Sequence, residues 1–481
     1  MISRSARRMV TACILSAAAT AALVAPGAAT AAGPQCEGEN IHGKGSSAQK
    51  NVQLNQWTKL FNTSANLAAC NGTQGSGGTP VVKYTSTGSG VGMESWGVET
   101  QKGKKNSKGE DEEEIRFGPE NAFVGTEIAP SKAQSAEILA HGSGKVLTIP
   151  VIQAAISIVF DLPKGCTKVS GGPVPGRVGL KDATLEKIFQ GTVTKWSQVL
   201  NKAKLEGNEE CTKLGKTSLI TRVVRKDGSG TTDSFMKYLG VIYKKTVLGS
   251  ETWKQLGEKS NNTTWPEEGA HPVLRGEGGG GVVKVVSENP GTIGYANVSD
   301  ARSNGHFTEA PGTGGPGTAM FWAEVESKTI KVEGKTVPVY TDPATNKASN
   351  TKGSANCSGV VYTNGTKKFP PPTTEELWNE VIGAKVQPAA YEVCYLSFDL
   401  ALTKYSAFTT GIVKEELPFT ENPTAGEVQT VKDYLGYALS TGAGGGQPAA
   451  EGEDYSPLPT SEEASQNVLA IAQKGLGKVG F

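Results

Sequence analysis

Histidine and methionine are scarce in this sequence, with four and five residues among 481. His42, His141, His271 and His306 stand far apart, and none has the spacing of a metal-binding pair. None of the seven cysteines lies in a C-x-x-C, so a zinc ribbon or dithiol redox centre has no framework. No G-x-S-x-G occurs, which removes the nucleophile elbow of α/β-hydrolases. The tripeptide GKT at 215–217 has Glu210 where a P-loop needs its first glycine, and it precedes a strand-like segment. Positive charge is not in excess: 48 basic residues face 47 acidic ones, which gives no footprint for nucleic acid.

Glycine is plentiful (61 residues), proline less so (25), and they forecast many turns. The N-terminus is patterned. MISRSARRMV carries Arg4, Arg7 and Arg8, and the run TACILSAAATAALVAPGAATAA follows. A basic head, an apolar middle and the small residues Ala29 and Ala31 make 1–31 a secretory signal peptide. No apolar region precedes Cys13, so no lipid anchor is expected. Removing the segment takes away three arginines and no acid, leaving a mature charge near −2. Six cysteines then remain: Cys36, Cys70, Cys166, Cys211, Cys357 and Cys394. An even number in an exported chain points to disulfides. Of the fifteen possible connectivities, pairing in chain order (36–70, 166–211, 357–394) closes the shortest loops and is the one expected.

Strand-like and helix-like segments alternate. A short strand and a Gly/Ser turn precede an amphipathic helix with Val52, Leu54, Trp57, Leu60 and Phe61. A second strand at 81–85 repeats the plan. The charge block 102–114 has no apolar periodicity and reads as a solvated loop. The run 146–162 is almost continuously apolar and reads as buried parallel-sheet strands. SLITRVVR forms a strand with a helix behind it, and GGGGVVKVVSENPGTIGYANV a Gly-rich turn, helix, turn and strand. Residues 303–390, rich in Gly, Pro and Thr, read as long irregular excursions. Val428, Val431, Leu435, Ala438 and Leu439 fall at helical spacing, and a final capped helix follows 461. The pattern implies an α/β architecture with largely parallel sheets.

RKDGSGTTDSF (225–235) joins a strand to a helix. The unpartnered amides of such a helix start, at the positive end of its dipole, suit an anion. Gly228 and Gly230 permit close approach, Ser229 and Thr231 add hydroxyls, and Arg225 can grip two oxygens. Asp227 stands close enough to hold the guanidinium. The plain alternative is a capped helix behind a glycine turn. GKGSSA (43–48) and STGSGVG (86–92) place Gly and Ser at similar junctions. GKGSSA also matches G-x-G-x-x-A, but residues 50–93 hold no acid for a ribose hydroxyl.

In chain order LKDATLEKIFQGTVTKWSQ, VVRKDGSGTTDSFMKYL, TWPEEGAHPVLRGEGGGGVVKVVSENPGTIGYANV and DYSPLP are similar to motifs of one family. The chain resembles the phosphate-binding proteins of the high-affinity phosphate ABC transporter over roughly 40–300 and 390–475. That resemblance implies an α/β fold of the type II periplasmic-binding-protein kind, with two lobes, a two-strand hinge and a ligand cleft between them. Lobe one would comprise 33–150 and 299–481, with the long insertion 303–390, and lobe two 151–298. The implied phosphate ligands are Ser47, Ala48, Ser89, Glu127, Arg225, Ser229, Gly230 and Thr231, with Asp227 bracing Arg225. The implied role is an exported monomeric receptor, periplasmic or at the cell surface, without cofactor or catalysis, delivering inorganic phosphate to a membrane permease. One ligand departs from the family: Glu127 in FVGTEIAP stands where its G-S-D carries Asp, and a rival alignment through FGPEN offers Asn121. A carboxylate there accepts the proton that phosphate keeps at neutral pH and repels sulfate, which has none. Other readings are a receptor for sulfate or molybdate, a secreted phosphatase on the same fold, or an adhesin using the insertions.

Overall fold

The computed structural model describes residues 38–63, 80–98, 121–140, 144–170, 177–200, 204–214, 218–247, 250–259, 264–266, 273–306, 320–346, 352–363, 369–372, 378, 381–386, 390–406, 423–460 and 467–481. The signal segment, the acidic block 102–114 and the cysteines 36 and 70 lie outside them.

Three parallel strands come first: β1 (Ile41–Gly45), β2 (Val82–Ser86) and β3 (Phe123–Thr126), side by side as β2-β1-β3. Each runs into a turn and a helix. After β1 come α1 (Lys50–Val52), a π-helical stretch (Gln53–Trp57) and α2 (Thr58–Phe61). After β2 comes α3 (Ser89–Glu94), and after β3 α4 (Lys132–Leu139), closed by a Ser131/Gln134 capping box. Val52, Trp57 and Phe61 bury the inner face of the first helical run, while Leu54 turns 39% of its surface outward.

The long strand β4 (Val146–Asp161) is buried at every position. Beyond it lie β5 (Cys166–Ser170), β6 (Gly179–Leu180), α5 (Asp182–Gln190), α6 (Trp196–Val199), β7 (Lys204–Gly207) and α7 (Glu209–Leu214). A second set of parallel strands follows: β8 (Thr221–Arg225), β9 (Val273–Gly276) and β10 (Thr292–Asn297). These lead into α8 (Gly230–Ile242), α10 (Gly278–Glu288) and α11 (Val298–Ser303), with α9 (Trp253–Lys259) between α8 and β9.

Among the described residues these strands share one sheet with β16 (Cys394–Leu402), in the order β2-β1-β3-β16-β4-β10-β8-β9. Its two parallel ends are joined by antiparallel strands, because β4 pairs antiparallel with both β16 and β10. The expectation of parallel strands over 146–162 is therefore wrong. Burial of both faces produces a continuous apolar run, and β4 has both faces covered whichever way its neighbours point.

The insertion 303–390 also departs from its expected irregularity. It holds β11 (Met320–Trp322), which adds to β4, and the hairpin β12 (Glu324–Val332) and β13 (Lys335–Thr341), whose first residues pair with β6. It also holds the pair β14 (Val360–Thr363) and β15 (Ile382–Val386). Two anchors tie it down. The Cys357–Cys394 disulfide staples it to β16. Arg302 meanwhile donates to Asp454 at 2.7 Å and to the Asn346 carbonyl at 2.6 Å, beneath the Trp322 ring. Cys166–Cys211 forms the second expected disulfide, between β5 and α7. The last described helix, Val468–Leu476, is capped by Asn467.

Asp399 lies in the middle of β16, fully buried. Burial pushes its pKa up to about 8, the charge of Glu127 adds to this, and the Gln49 amide opposes it. The unfolded chain loses this proton near pH 4, whereas the native state keeps it until about pH 8. Stability therefore falls as pH rises across that window, by up to about 1.4 kcal/mol per unit. Asp399→Asn removes the titration. Its advantage over wild type in urea unfolding is expected to be larger at pH 8 than at pH 5 by about 2–4 kcal/mol; an equal difference at both values would contradict this.

Candidate functional site

Both parallel sets deliver their carboxyl ends to one place. Open α/β sheets bind ligands there, since each strand end is followed by a turn whose amides point outward. From one set come Ser46 and Ser47 after β1, Gly88 and Ser89 after β2, and Glu127 after β3. The other brings the Asp227–Ser229 turn after β8, Gly278 after β9, and Asn297 to Asp300 after β10. Glycine permits the crowding. At Gly45 (φ +136°) a Cβ would stand 2.2 Å from the Gly125 carbonyl. At Gly230 it would meet Glu127 Cβ at 2.7 Å and Ser89 Oγ at 2.8 Å.

Arg225 is the centre of the second set, 1% exposed. Its Nε donates to Asp227 Oδ1 at 2.8 Å and its Nη2 to Asp227 Oδ2, and Nη2 also reaches Ser47 Oγ at 2.9 Å. Burial works against the guanidinium charge, but the hydrogen bonds and charge of Asp227 outweigh it and the pKa is raised. Asp227 Oδ1 further accepts from the Gly278 amide at 2.9 Å, so the same carboxylate fixes the start of α10. Ser229 caps α8, accepting from the Thr232 amide at 3.2 Å. Gly230 opens the helix and donates its amide to Ser89 Oγ at 3.3 Å, and Thr231 is buried on the same first turn. Ala48 is buried, its carbonyl held by Asn297 at 2.6 Å and Tyr455 at 2.5 Å.

Glu127, 4% exposed, faces this turn from the first set. Its Oε1 accepts from the hydroxyls of Ser46 and, at 3.0 Å, Ser397; its Oε2 accepts from Ser89 at 2.8 Å. A carboxylate offers about four lone-pair positions. Three are used, and Oε2, which has one left, lies 2.8 Å from where a Gly230 Cβ would stand at the start of α8. Burial raises the pKa of Glu127, while the three hydroxyls and the Arg225 charge work to lower it. Asn121 precedes β3 and lies at the opposite end of that strand, its carbonyl holding the Trp96 indole at 2.8 Å. Of the two alignments, only the one through Glu127 brings its residue to the strand ends.

The structure therefore brings together Ser47, Ala48, Ser89, Glu127, Arg225, Asp227, Ser229, Gly230 and Thr231. Three residues at the site escaped sequence reasoning. Ser46 sits beside Ser47 in GKGSSA and could have been read from that motif. Ser397 interrupts the apolar strand CYLSFDLAL, a visible break with no stated purpose. Asp300, 5% exposed on the first turn of α11, gave no signal. Beside Glu127 a cavity of about 30 Å³ is lined by Ser234, Lys237 and Tyr395, and by Trp378 and Val381 of the insertion.

Residues 28–368 match the family model of the PBP superfamily domain. The chain is 32% identical over 130 residues to phosphate-binding protein PstS of Xylella fastidiosa, covering 27% of this chain and 31% of that protein. It is 25% identical over 281 residues to phosphate-binding protein PstS3 of Mycobacterium bovis, covering 57% and 58%. The matched segments thus span less than two thirds of these relatives' own lengths. The structure resembles that of the phosphate-binding protein from Stenotrophomonas maltophilia with a TM-score of 0.52 at 15% identity, covering 90% of this chain and 93% of that one. A likeness at that identity shows the fold. Because the superfamily model spans well over half of the sequence, the chain belongs to the PBP superfamily and has the type II periplasmic-binding-protein fold.

Proposed function

We propose that this chain captures inorganic phosphate outside the cytoplasm and hands it to the membrane permease of an ABC transporter. In this reading lobe one (33–150 and 299–481) and lobe two (151–298) close on the anion. Ser47, the Ala48 amide, Ser89, Arg225, Ser229, Gly230 and Thr231 supply donors, and Glu127 accepts. The phosphate-binding names of the relatives support the ligand; export rests on the signal segment. No helix among the described residues is long and apolar enough to cross a membrane.

The observation that carries the reading is the buried Glu127 carboxylate, an acceptor held by three serine hydroxyls, set against the start of α8 among the donors of the strand ends. A site of donors alone would take any oxyanion. One remaining acceptor, held by three serine hydroxyls so that it cannot turn away, demands a ligand that brings its own O–H. Hydrogen phosphate does, and sulfate does not, so sulfate would leave two buried negative oxygens in contact. The chemistry is capture and release. About ten hydrogen bonds, several charge-assisted, suffice for the roughly −8 kcal/mol of a micromolar complex.

Two outcomes follow. Arg225→Ala is expected to weaken phosphate binding by at least about tenfold in calorimetry; unchanged affinity would remove Arg225 from the site. Glu127→Gln supplies an amide that can turn a donor toward the anion, so sulfate should gain about tenfold as a competitor. If sulfate stays excluded in that variant, the selectivity lies elsewhere.

A further inference from the structure

Asp300 is the buried acid of the cleft that the reading above leaves unused. Its backbone is fixed, because its amide donates to Asn297 Oδ1 at 2.7 Å and caps α11. Its side chain stands over the first turn of α10, where Gly279 leaves room: a Cβ there would lie 2.1 Å from Asp300 Oδ2. That oxygen is buried and has no hydrogen-bond partner among the described residues. A carboxylate oxygen in this condition loses its hydration without compensation, at a cost a fold normally avoids. No α10 amide bonds to it, and the first, that of Gly278, is held by Asp227 at 2.9 Å.

Three charges act on it: Arg225, at the end of β8, Lys50 of α1 and Glu127 of the turn after β3. The Tyr455 phenol lies close enough to feel its charge, and Ser47 lies beside Gly278 at the start of α10. Burial, with Glu127 adding and Arg225 and Lys50 opposing, pushes its pKa up to about 7.

We infer that Asp300 is a second proton acceptor for the bound anion, so that the cleft holds phosphate with two protons, one directed to Glu127 and one to Asp300. This rests on the phosphate reading. Near pH 8 free phosphate is mainly the dianion HPO₄²⁻, with one O–H. Two carboxylates ask for two. One proton from solution then bonds to a phosphate oxygen, giving H₂PO₄⁻ in the cleft, and no other bond is made or broken. The alternative is that Asp300 merely complements the dipole of α10; it would then matter for stability and not for proton balance.

Calorimetric titration of inorganic phosphate into the whole protein at pH 8, in two buffers of different ionisation enthalpy, separates these. The wild type is expected to take up about one proton per phosphate, and its affinity to fall by up to about tenfold per pH unit above that. Asp300→Asn, whose amide can donate to the anion, should bind phosphate with uptake near zero. Asp300→Ser is the second variant should the first fail to fold, with the same expectation. Phosphate binding with unchanged proton uptake in the variants would overturn the role of Asp300 alone. No phosphate binding by the wild type would overturn the phosphate reading and this inference with it.

Discussion

The burial of the Arg225 charge is the constraint on which the site is built. A guanidinium with 1% of its surface exposed cannot stand without a partner, and Asp227, two residues on, is placed to supply one. Removing one member of such a pair costs several kcal/mol, because the other is left as an uncompensated buried charge. Asp227 is also committed to the first amide of α10, and Arg225 to Ser47 after β1. One ion pair thereby fixes three turns that come from distant parts of the chain. Glu127 answers it from the first set, held by Ser46 of the same β1 turn, Ser89 of one further turn and Ser397 of β16.

The same crowding explains why this region is rich in acids whose protonation is displaced. Glu127, Asp300 and Asp399 lie near one another, and burial raises the pKa of each. Structurally this is a liability: a carboxyl whose pKa is raised in the native state costs stability as pH rises past its unfolded value. Such groups persist where function needs them. Asp399 lies inside β16, whereas the other two stand at the strand ends where the two parallel sets meet.

The junctions of the site were legible because their signals are local. A glycine that must take positive φ, a serine that caps a helix and an arginine beside its aspartate all declare themselves within ten residues. Strand direction was not legible. The run of β4 reports that both faces are covered, and its antiparallel neighbours arrive from residues 292–297 and 394–402. The strands of the insertion were hidden for a related reason. They are placed by pairing with β4 and β6 and by the Cys357–Cys394 staple, while Ile330, Val332 and Val337 of the hairpin stay exposed, so no buried face marks them in the sequence. Ser397 and Asp300 join the site only through tertiary contact.

The account turns on one claim: the cleft takes an anion that carries its own proton. Calorimetric titration of the unaltered protein with phosphate, repeated in the presence of excess sulfate, tests it most directly. The account predicts saturable binding of one phosphate per chain, undiminished by sulfate. Sulfate that competes on equal terms, or phosphate that does not bind, would contradict it.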